Sequence, residues 1–305
     1  MKEVIVICGP TASGKTALSI ELAKQIKGEI ISCDSMQIYK DMDIGSAKPT
    51  KEEMQGIKHY IIDEVLPTER FSVARYKQEA EKAIEEILKK GVVGGTGLYA
   101  NSLIYGIEYD DIKLDEKYRE ELMKIAETQE GLEKLYNEAK KIDEKATEKI
   151  SPNDKKRIIR ILEIYKATGK NKTEQEIESR KKEVKYDYKI FGINIERPIL
   201  YERINKRVDI MIDQGLIEEV KKLIKKYPEF PTAMQAIGYK EIVEYLNNEL
   251  SLEEAIEKIK QETRRYAKRQ ITWFKRIENL KWLDGLEKTQ NNINIILEVM
   301  NWVKL

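Results

Sequence analysis

The strongest chemical signal in the sequence is a glycine loop near its start. The loop reads Gly9-Pro10-Thr11-Ala12-Ser13-Gly14-Lys15-Thr16. It fits the pattern G-x-x-x-x-G-K-S/T, in which backbone N–H groups and the N-terminus of a helix hold phosphate oxygens. An apolar run at 4–8 precedes the loop and apolar residues at helical spacing follow it, so the loop joins a predicted strand to a predicted helix. We expect Lys15 to supply positive charge and the Thr16 hydroxyl to ligate Mg²⁺. The loop therefore predicts a bound diphosphate or triphosphate but does not identify the molecule that carries it.

A second chemical group is the carboxylate of Asp34, directly after the predicted strand Glu29–Cys33. Ligands of open α/β sheets lie outside the carboxyl ends of the strands, so we expect Asp34 to face the same crevice as the glycine loop. There it can ligate Mg²⁺ or act as a general base, or it can simply cap a following helix. Its position favours a chemical role. Thr96, which follows another glycine turn, is predicted to lie at the mouth of the same crevice.

Two arginines in the second half of the chain have anion-binding spacing. Arg203 and Arg207 lie one turn apart in a helix predicted over 199–214, so both can reach one anion.

The last long predicted helix, over 251–276, interleaves basic and aromatic side chains. Its basic residues include Lys268 and Arg269, and its aromatic residues are Tyr266, Trp273 and Phe274. Guanidinium groups beside aromatic rings are typical of RNA binding, through phosphate contacts and base stacking. The alternative is that the aromatic side chains pack in the core and the basic ones are only solvated.

The composition limits the class of protein. The chain has 305 residues, 41% of them hydrophobic, and a net charge of only +1, so any surface for nucleic acid has to be local. Two cysteines and one histidine cannot build a zinc finger, and buried thiols suit a reducing compartment. The N-terminal apolar run is too short for a signal peptide or a membrane span. We expect a cytoplasmic monomer without membrane contact.

The pattern of predicted secondary structure changes twice along the chain. Strand and helix signals alternate over 1–112 and again over 189–305, whereas 113–188 is charged and almost entirely helix-forming. This predicts an α/β fold: a P-loop NTPase-like core with a parallel sheet flanked by helices, plus an inserted all-helical domain. Within that domain we predict a helix starting at 151–160 with Pro152 in its first turn. Its basic side chains form either an interaction surface or a solvated face.

Several motifs, in this order, resemble those of the tRNA dimethylallyltransferase family over nearly the whole chain. The glycine loop alone is unspecific, but its combination with Asp34 and the late Lys-Arg-Gln helix is highly specific. The motifs are Gly9–Thr16, Asp34–Tyr39, Met42–Pro49, Gly94–Tyr99, Asn153 and Asp154 with Arg157 and Arg160, Gln235–Lys240, and Ala267–Phe274. Two departures are a short apolar run before Gly94 and the absence of the C-terminal zinc finger of some eukaryotic relatives, which favours a bacterial-type enzyme.

The resemblance implies that a dimethylallyl group passes from dimethylallyl diphosphate to N6 of adenosine 37, next to the tRNA anticodon, with Mg²⁺ as cofactor. It implies that the glycine loop, with Arg203 or Arg207, binds the isoprenoid diphosphate in place of ATP. Asp34 would be the base, and Lys15, Thr16 and Thr96 the other catalytic residues. The helical domain would bind the anticodon arm of the tRNA. The expected tRNA contacts are Asp34, Ser35, Met36, Gln37, Thr96, Arg119, Lys156, Arg157, Arg160, Gln235, Gly238, Lys268, Arg269 and Gln270.

Three other functions share parts of this pattern. A P-loop small-molecule kinase has the same loop and Mg²⁺ but no use for the late basic and aromatic helix. An adenylate isopentenyltransferase performs the same chemistry on a free nucleotide and has less use for the helical domain. A non-catalytic RNA-binding module does not need Asp34 beside the loop.

Overall fold

The computed structural model describes residues 2–87, 92–95 (backbone only), 102–107, 115–180 and 184–302. The chain divides into two compact units. The first contains Met1–Leu103 and Lys185–Leu305, and the second is Ile104–Val184. The change in composition predicts 113–188 for the second unit, which starts nine residues and ends four residues later than the observed one.

The first unit is built on a parallel sheet, as the sequence predicts. In the described residues the sheet has six strands in the order β3-β2-β4-β1-β5-β6, and every neighbouring pair is parallel. The strands are β1 Lys2–Cys8, β2 Glu29–Ser32, β3 His59–Tyr60, β4 Val92–Gly95, β5 Tyr186–Asn194 and β6 Lys281–Asp284.

The described helices account for most of the remaining chain. Ala233–Gln235 forms a short 3-10 helix. The α-helices are α1 Lys15–Ile26, α2 Lys51–Met54, α3 Val73–Ile87, α4 Glu116–Ile125, α5 Gln129–Ile142, α6 Glu144–Thr147, α7 Lys155–Thr168, α8 Lys172–Arg180, α9 Arg197–Asp213, α10 Leu216–Lys226, α11 Tyr239–Leu246, α12 Leu252–Phe274 and α13 Thr289–Val299.

Both faces of the sheet are buried. Adjacent residues of a strand point to opposite faces, and Val4 and Ile5 accordingly belong to different apolar clusters. Val4 shares its cluster with Tyr76, whereas Ile5 shares its cluster with Leu22 and Phe191. This two-sided burial explains why β1 is a nearly continuous apolar run and does not alternate with polar residues.

The order of the strands in the sheet determines where the glycine loop and Asp34 lie. β4 lies between β1 and β2. The glycine loop leaves the carboxyl end of β1, and Asp34 follows the carboxyl end of β2, so both lie at the same edge of the sheet. Thr96 is the residue that follows β4 in the sequence, but it lies outside the described residues.

The second unit has an apolar core of its own, formed by α4, α5, α6 and α7. Its buried members include Leu122, Leu135, Ile158, Ile159 and Leu162. One local prediction was wrong: Pro152 is not in the first turn of α7. The helix begins at Lys155, and the Asp154 side chain caps it by accepting the Arg157 N–H at 3.2 Å.

Cys8 and Cys33 are both buried, as expected, and are not joined in a disulfide. Burial raises the pKa of the Cys8 thiol to about 12, so that this sulfur is unreactive at neutral pH. None of the described helices combines the length and the apolar character that crossing a membrane requires.

Candidate active site

The glycine loop ends in a left-handed glycine at the start of α1. Gly14 has a φ of 89°, a left-handed conformation that glycine adopts without strain, and it is the N-cap of α1. It has no side chain to bond the N–H groups of the first helical turn. Those N–H groups therefore remain available to an anion, and the positive end of the helix dipole adds to their attraction.

Lys15 folds back onto the loop. Its Nζ donates to the Pro10 carbonyl oxygen at 2.8 Å. The residue is partly exposed, but its ammonium group is enclosed, and this desolvation lowers its pKa from 10.5 to about 8. Asp34 opposes the shift and Arg207 adds to it. Lys15 therefore stays mostly protonated at neutral pH and loses its proton above about pH 8, and a negative ligand would raise its pKa again.

A pocket opens beside the loop and joins residues that are far apart in the sequence. It is bounded by the start of α1, the end of β2, the segment 46–49, α9 and α12. The polar residues that the sequence singles out and that line this pocket are Thr11, Lys15, Thr16, Asp34, Gln37, Arg207 and Gln270.

Asp34 caps a turn and also faces this pocket. Its Oδ1 accepts the N–H groups of Met36 at 2.9 Å and Gln37 at 3.4 Å. The residues that follow form turns and not a helix, so the predicted alternative of a helix cap is corrected to a turn cap. Oδ2 accepts no hydrogen bond from the residues that the structure describes. One oxygen is therefore structural and the other is free for chemistry.

The structure distinguishes the two candidate arginines. Arg207 lines the pocket, and its Nη2 donates to the Ala47 carbonyl oxygen at 3.4 Å. Burial lowers the pKa of Arg207, although Asp34 opposes this shift. Arg203 is exposed and is not part of the pocket lining among the described residues. Arg207 is consequently the better candidate for anion binding.

The sequence leaves open whether helix α12 packs in the core or presents basic and aromatic side chains to a ligand, and the structure shows features of both. Phe274 is fully buried in the core, whereas Tyr266 is 41% exposed and lines the pocket. Gln270 is buried, and its Oε1 accepts the Thr11 N–H of the glycine loop at 2.9 Å. Lys268 and Arg269 are exposed. One face of the helix therefore supports the loop, and another presents basic side chains to solvent.

Of the other predicted tRNA contacts of the first unit, Gln37 is the one that lines the pocket among the described residues. Gln37 donates from Nε2 to the Ala47 carbonyl oxygen at 3.1 Å, while Ser35 and Met36 occupy the preceding turn. Gln235 ends the 3-10 helix. Gly238 is the N-cap of α11, and its N–H donates to Glu241.

In the second unit, the predicted basic contacts divide into two groups. Arg119 Nη1 donates to both carboxylate oxygens of the buried Glu163, at 2.9 and 3.0 Å, and Arg160 Nη1 lies 3.6 Å from the same carboxylate. This pairing fixes two guanidinium groups at a partly exposed surface. Lys156 and Arg157 are exposed, and Arg157 lies 3.4 Å from Asp154.

The sequence indicates two residues of the pocket only weakly. The pattern of α12 suggests only an RNA or core role for Tyr266, and a lone histidine such as His59 is a weak signal, yet both line the pocket. His59 contacts the Ile57 carbonyl oxygen through Nδ1 at 2.9 Å, and its buried Nε2 has no hydrogen-bond partner among the described residues. Desolvation lowers the pKa of His59, which favours the neutral ring. No signal in the sequence identifies His59, because its place in the pocket follows from the pairing of β3 with β2, in which His59 lies opposite Ile30.

The donor set of the pocket fits Mg²⁺ only if a phosphate completes the shell. Among the described residues, no three acidic, histidine or cysteine side chains gather into a metal cage. Magnesium usually keeps several waters and binds one or two protein oxygens together with substrate phosphates. The Thr16 hydroxyl and the Asp34 carboxylate, both in the pocket lining, are oxygens of that kind.

Comparison with known proteins gives consistent matches over the whole chain. The profile of the IPP transferase family matches residues 37–277. A tRNA dimethylallyltransferase from Acetivibrio thermocellus is 53% identical, over 97% of this chain and 98% of that protein. One from Caldanaerobacter subterraneus subsp. tengcongensis is 52% identical, over 92% of this chain and 91% of that protein.

Solved structures agree with these sequence matches. The full-length tRNA isopentenylpyrophosphate transferase of Bacillus halodurans superposes with a TM-score of 0.73 at 42% identity, covering 99% of this chain and 96% of that chain. A eukaryotic dimethylallyltransferase acting on tRNA superposes with a TM-score of 0.82 at 32% identity, covering 100% of this chain and 81% of that chain.

Proposed function

This chain belongs to the IPP transferase family, and we propose that it transfers a dimethylallyl group from dimethylallyl diphosphate to N6 of adenosine 37 in tRNA. One observation carries the proposal. Lys15, Thr16 and Arg207, which suit a diphosphate, share a single pocket with the carboxylate of Asp34, which suits a proton acceptor. We further propose that the core is P-loop NTPase-like and that its glycine loop holds the diphosphate of the prenyl donor and not ATP.

The loop and its neighbours would stabilise the leaving group. The exocyclic amine of adenine is a weak nucleophile because its lone pair is delocalised into the ring, so the reaction needs a leaving group whose charge is well held. The N–H groups at the start of α1, the Lys15 ammonium and the Arg207 guanidinium supply that stabilisation. With Mg²⁺ bound at Thr16, the metal would add Lewis-acid stabilisation of the phosphate oxygens.

Asp34 would accept the proton. As N6 attacks the allylic carbon, the C–N bond forms, the C–O bond to diphosphate breaks and N6 becomes positively charged. The free Oδ2 of Asp34 takes one N6 proton, while Oδ1 remains bonded to the turn that fixes the carboxylate. The target base has to leave the anticodon-loop stack to enter the pocket, as in other enzymes that act on a base.

One assay tests the proposed function. The protein is incubated with Mg²⁺ and dimethylallyl diphosphate, and unmodified tRNA, AMP or ATP is offered as acceptor. We expect prenylated adenosine only with tRNA. Prenylated AMP or ATP would instead identify an adenylate isopentenyltransferase, and phosphoryl transfer from ATP to a small molecule would identify a kinase.

The lowered pKa of Lys15 predicts a pH dependence of donor binding. The free lysine loses its proton above about pH 8, whereas a bound diphosphate favours the protonated form and raises the pKa. The Kd for dimethylallyl diphosphate should therefore be constant below about pH 8 and rise by up to about tenfold per pH unit above it. Titration calorimetry between about pH 7 and pH 9.5 measures this dependence and the accompanying proton uptake.

A charge-preserving variant provides the control for Lys15. Arginine stays protonated throughout this range, so Lys15→Arg should bind more weakly than wild type but with a Kd that does not change with pH. A wild-type Kd that is flat up to about pH 9.5 would contradict the role of Lys15.

The exposed basic side chains of α12 predict salt-sensitive RNA binding. Replacing Lys268 and Arg269 with glutamine should weaken tRNA binding and reduce the slope of log K against log salt by about one unit for each phosphate that these side chains neutralise. The matched control replaces Lys222 and Lys225, which are exposed on α10, and should leave the slope unchanged. If the α12 variant kept the wild-type slope, its basic residues would be a solvated face.

A further inference from the structure

Glu219, on α10, binds an unusually large number of donors with one carboxylate. It accepts three consecutive backbone N–H groups, those of Asp43 at 3.0 Å, Ile44 at 2.7 Å and Gly45 at 3.1 Å. The Tyr239 hydroxyl donates to it as well, at 2.7 Å. Successive N–H groups form a concave site for an anion, and here the anion is a side chain of the protein itself. Hydrogen bonds to a charged acceptor are stronger than neutral ones, so this contact fixes the segment 43–45.

The segment that Glu219 holds leads directly into the pocket wall. Ser46 and Ala47 line the pocket. The Ala47 carbonyl oxygen accepts from both Gln37 Nε2, at 3.1 Å, and Arg207 Nη2, at 3.4 Å. The position of the Ala47 carbonyl therefore helps to determine the position of the Arg207 guanidinium.

Lys48 anchors the other end of the same segment. Its side chain is buried, and its Nζ donates to the Tyr39 carbonyl oxygen at 2.8 Å and to Asp43 at 2.6 Å, and pairs with Asp63. The segment 43–48 is thus held by a carboxylate at its start and by a buried ammonium group at its end. Ala47 lies between these two anchors.

Gly45 allows the segment to approach the helices closely. A Cβ at this position would lie 2.5 Å from Tyr239 Cε2 and 2.9 Å from Leu216 Cδ1. Tyr239 is fully buried and cannot move aside without disturbing the core. A larger residue at 45 would push the segment away from Glu219.

We propose that Glu219 is a positioning residue for the diphosphate site. By fixing the N–H groups of 43–45 it sets the Ala47 carbonyl, and through that carbonyl it orients Arg207 toward the ligand. Glu219 lines no part of the pocket among the described residues, so that it acts only through other groups. This inference rests on the proposed function, because it takes the ligand at Arg207 to be the diphosphate of the prenyl donor.

The test is diphosphate binding by the variant Glu219→Gln. Glutamine has the same shape, but its NH₂ group faces N–H donors that need an acceptor, so part of the interaction becomes repulsive. We expect the Kd for inorganic diphosphate, measured by calorimetry on the full chain, to rise about tenfold. We also expect the KM for dimethylallyl diphosphate to rise while the KM for tRNA is unchanged. The matched control is Glu218→Gln, which removes an exposed charge paired with Lys221 on the same helix and should bind like wild type.

A double variant separates positioning from general destabilisation. If Glu219 acts through Arg207, the combination of Glu219→Gln with Arg207→Ala should bind diphosphate about as weakly as Arg207→Ala alone. Fully multiplicative losses would overturn the inference, and so would wild-type affinity in Glu219→Gln. Gly45→Ala is a second variant that displaces the segment with the carboxylate intact, and it should also weaken binding. Wild-type protein that binds diphosphate but transfers no dimethylallyl group would contradict the proposed function alone.

Discussion

Replacing Asp34 with asparagine should slow dimethylallyl transfer by about a hundredfold or more, the usual effect of removing a general base. Asp34→Asn is a more specific test than Asp34→Ala because Asp34 has two roles, capping a turn and accepting a proton. Its Oδ1 accepts the N–H groups of Met36 and Gln37, and the asparagine oxygen can still do so. Only the ability to take a proton is removed. Single-turnover rates with saturating tRNA and donor measure the chemical step directly.

Asp34→Ala is the comparison that separates the two roles. It removes both the base and the turn cap, so it should be as slow as Asp34→Asn or slower and should also be less stable to heat. The tRNA Kd of Asp34→Asn should stay within about threefold of wild type, because the phosphate contacts that dominate RNA affinity are elsewhere. An active asparagine variant beside an inactive alanine variant would assign Asp34 to the turn alone.

Replacing Arg207 with alanine should lower kcat/KM for dimethylallyl diphosphate by about a hundredfold, the scale of losing one preorganised charge stabiliser. Arg207 lines the pocket with Lys15 and is held there by the Ala47 carbonyl, so little reorganisation is needed when the ligand binds. Steady-state rates at saturating tRNA, with the donor concentration varied, measure this loss.

Arg203→Ala is the matched control for Arg207→Ala. It removes the same side chain one turn earlier on α9, at an exposed position, and should change kcat/KM by less than about twofold. Equal losses in the two variants would mean that both arginines reach the diphosphate. A larger loss from Arg203→Ala would contradict the assignment of Arg207.

The parts of this protein that local sequence determines are predictable. The apolar run of β1 and the two glycines of the following loop predict a buried strand and a glycine turn at the start of α1, and the structure has both within a few residues. The rule that ligands lie at the carboxyl ends of parallel strands then places Asp34 beside that loop from sequence order alone. The tRNA dimethylallyltransferase resemblance rests on the same local motifs, and the family comparisons confirm it.

Contacts between distant residues are not predictable from the sequence. Gln270 supports Thr11 across 259 positions, and Glu219 holds Ile44 across 175. Nor can helical periodicity choose between Arg203 and Arg207. Both precede residues of the same buried stripe of α9, Ile204 and Val208, so they share one face, and only the packing of the whole helix decides which one reaches the pocket.

The pairing of β1 with β5 has a consequence for how the chain folds during synthesis. The two strands pair in register from Lys2 with Tyr186 to Cys8 with Gly192. β1 is synthesised first, but it can pair with β5 only after the entire second unit has been synthesised. Such non-local pairing is slow because a long loop must close first. The glycine loop leaves the end of β1 and receives its support from Gln270 later still. The ribosome must therefore complete nearly all of the polypeptide before the pocket beside the glycine loop can form. The second unit, in contrast, is contiguous in sequence, and its core residues emerge together.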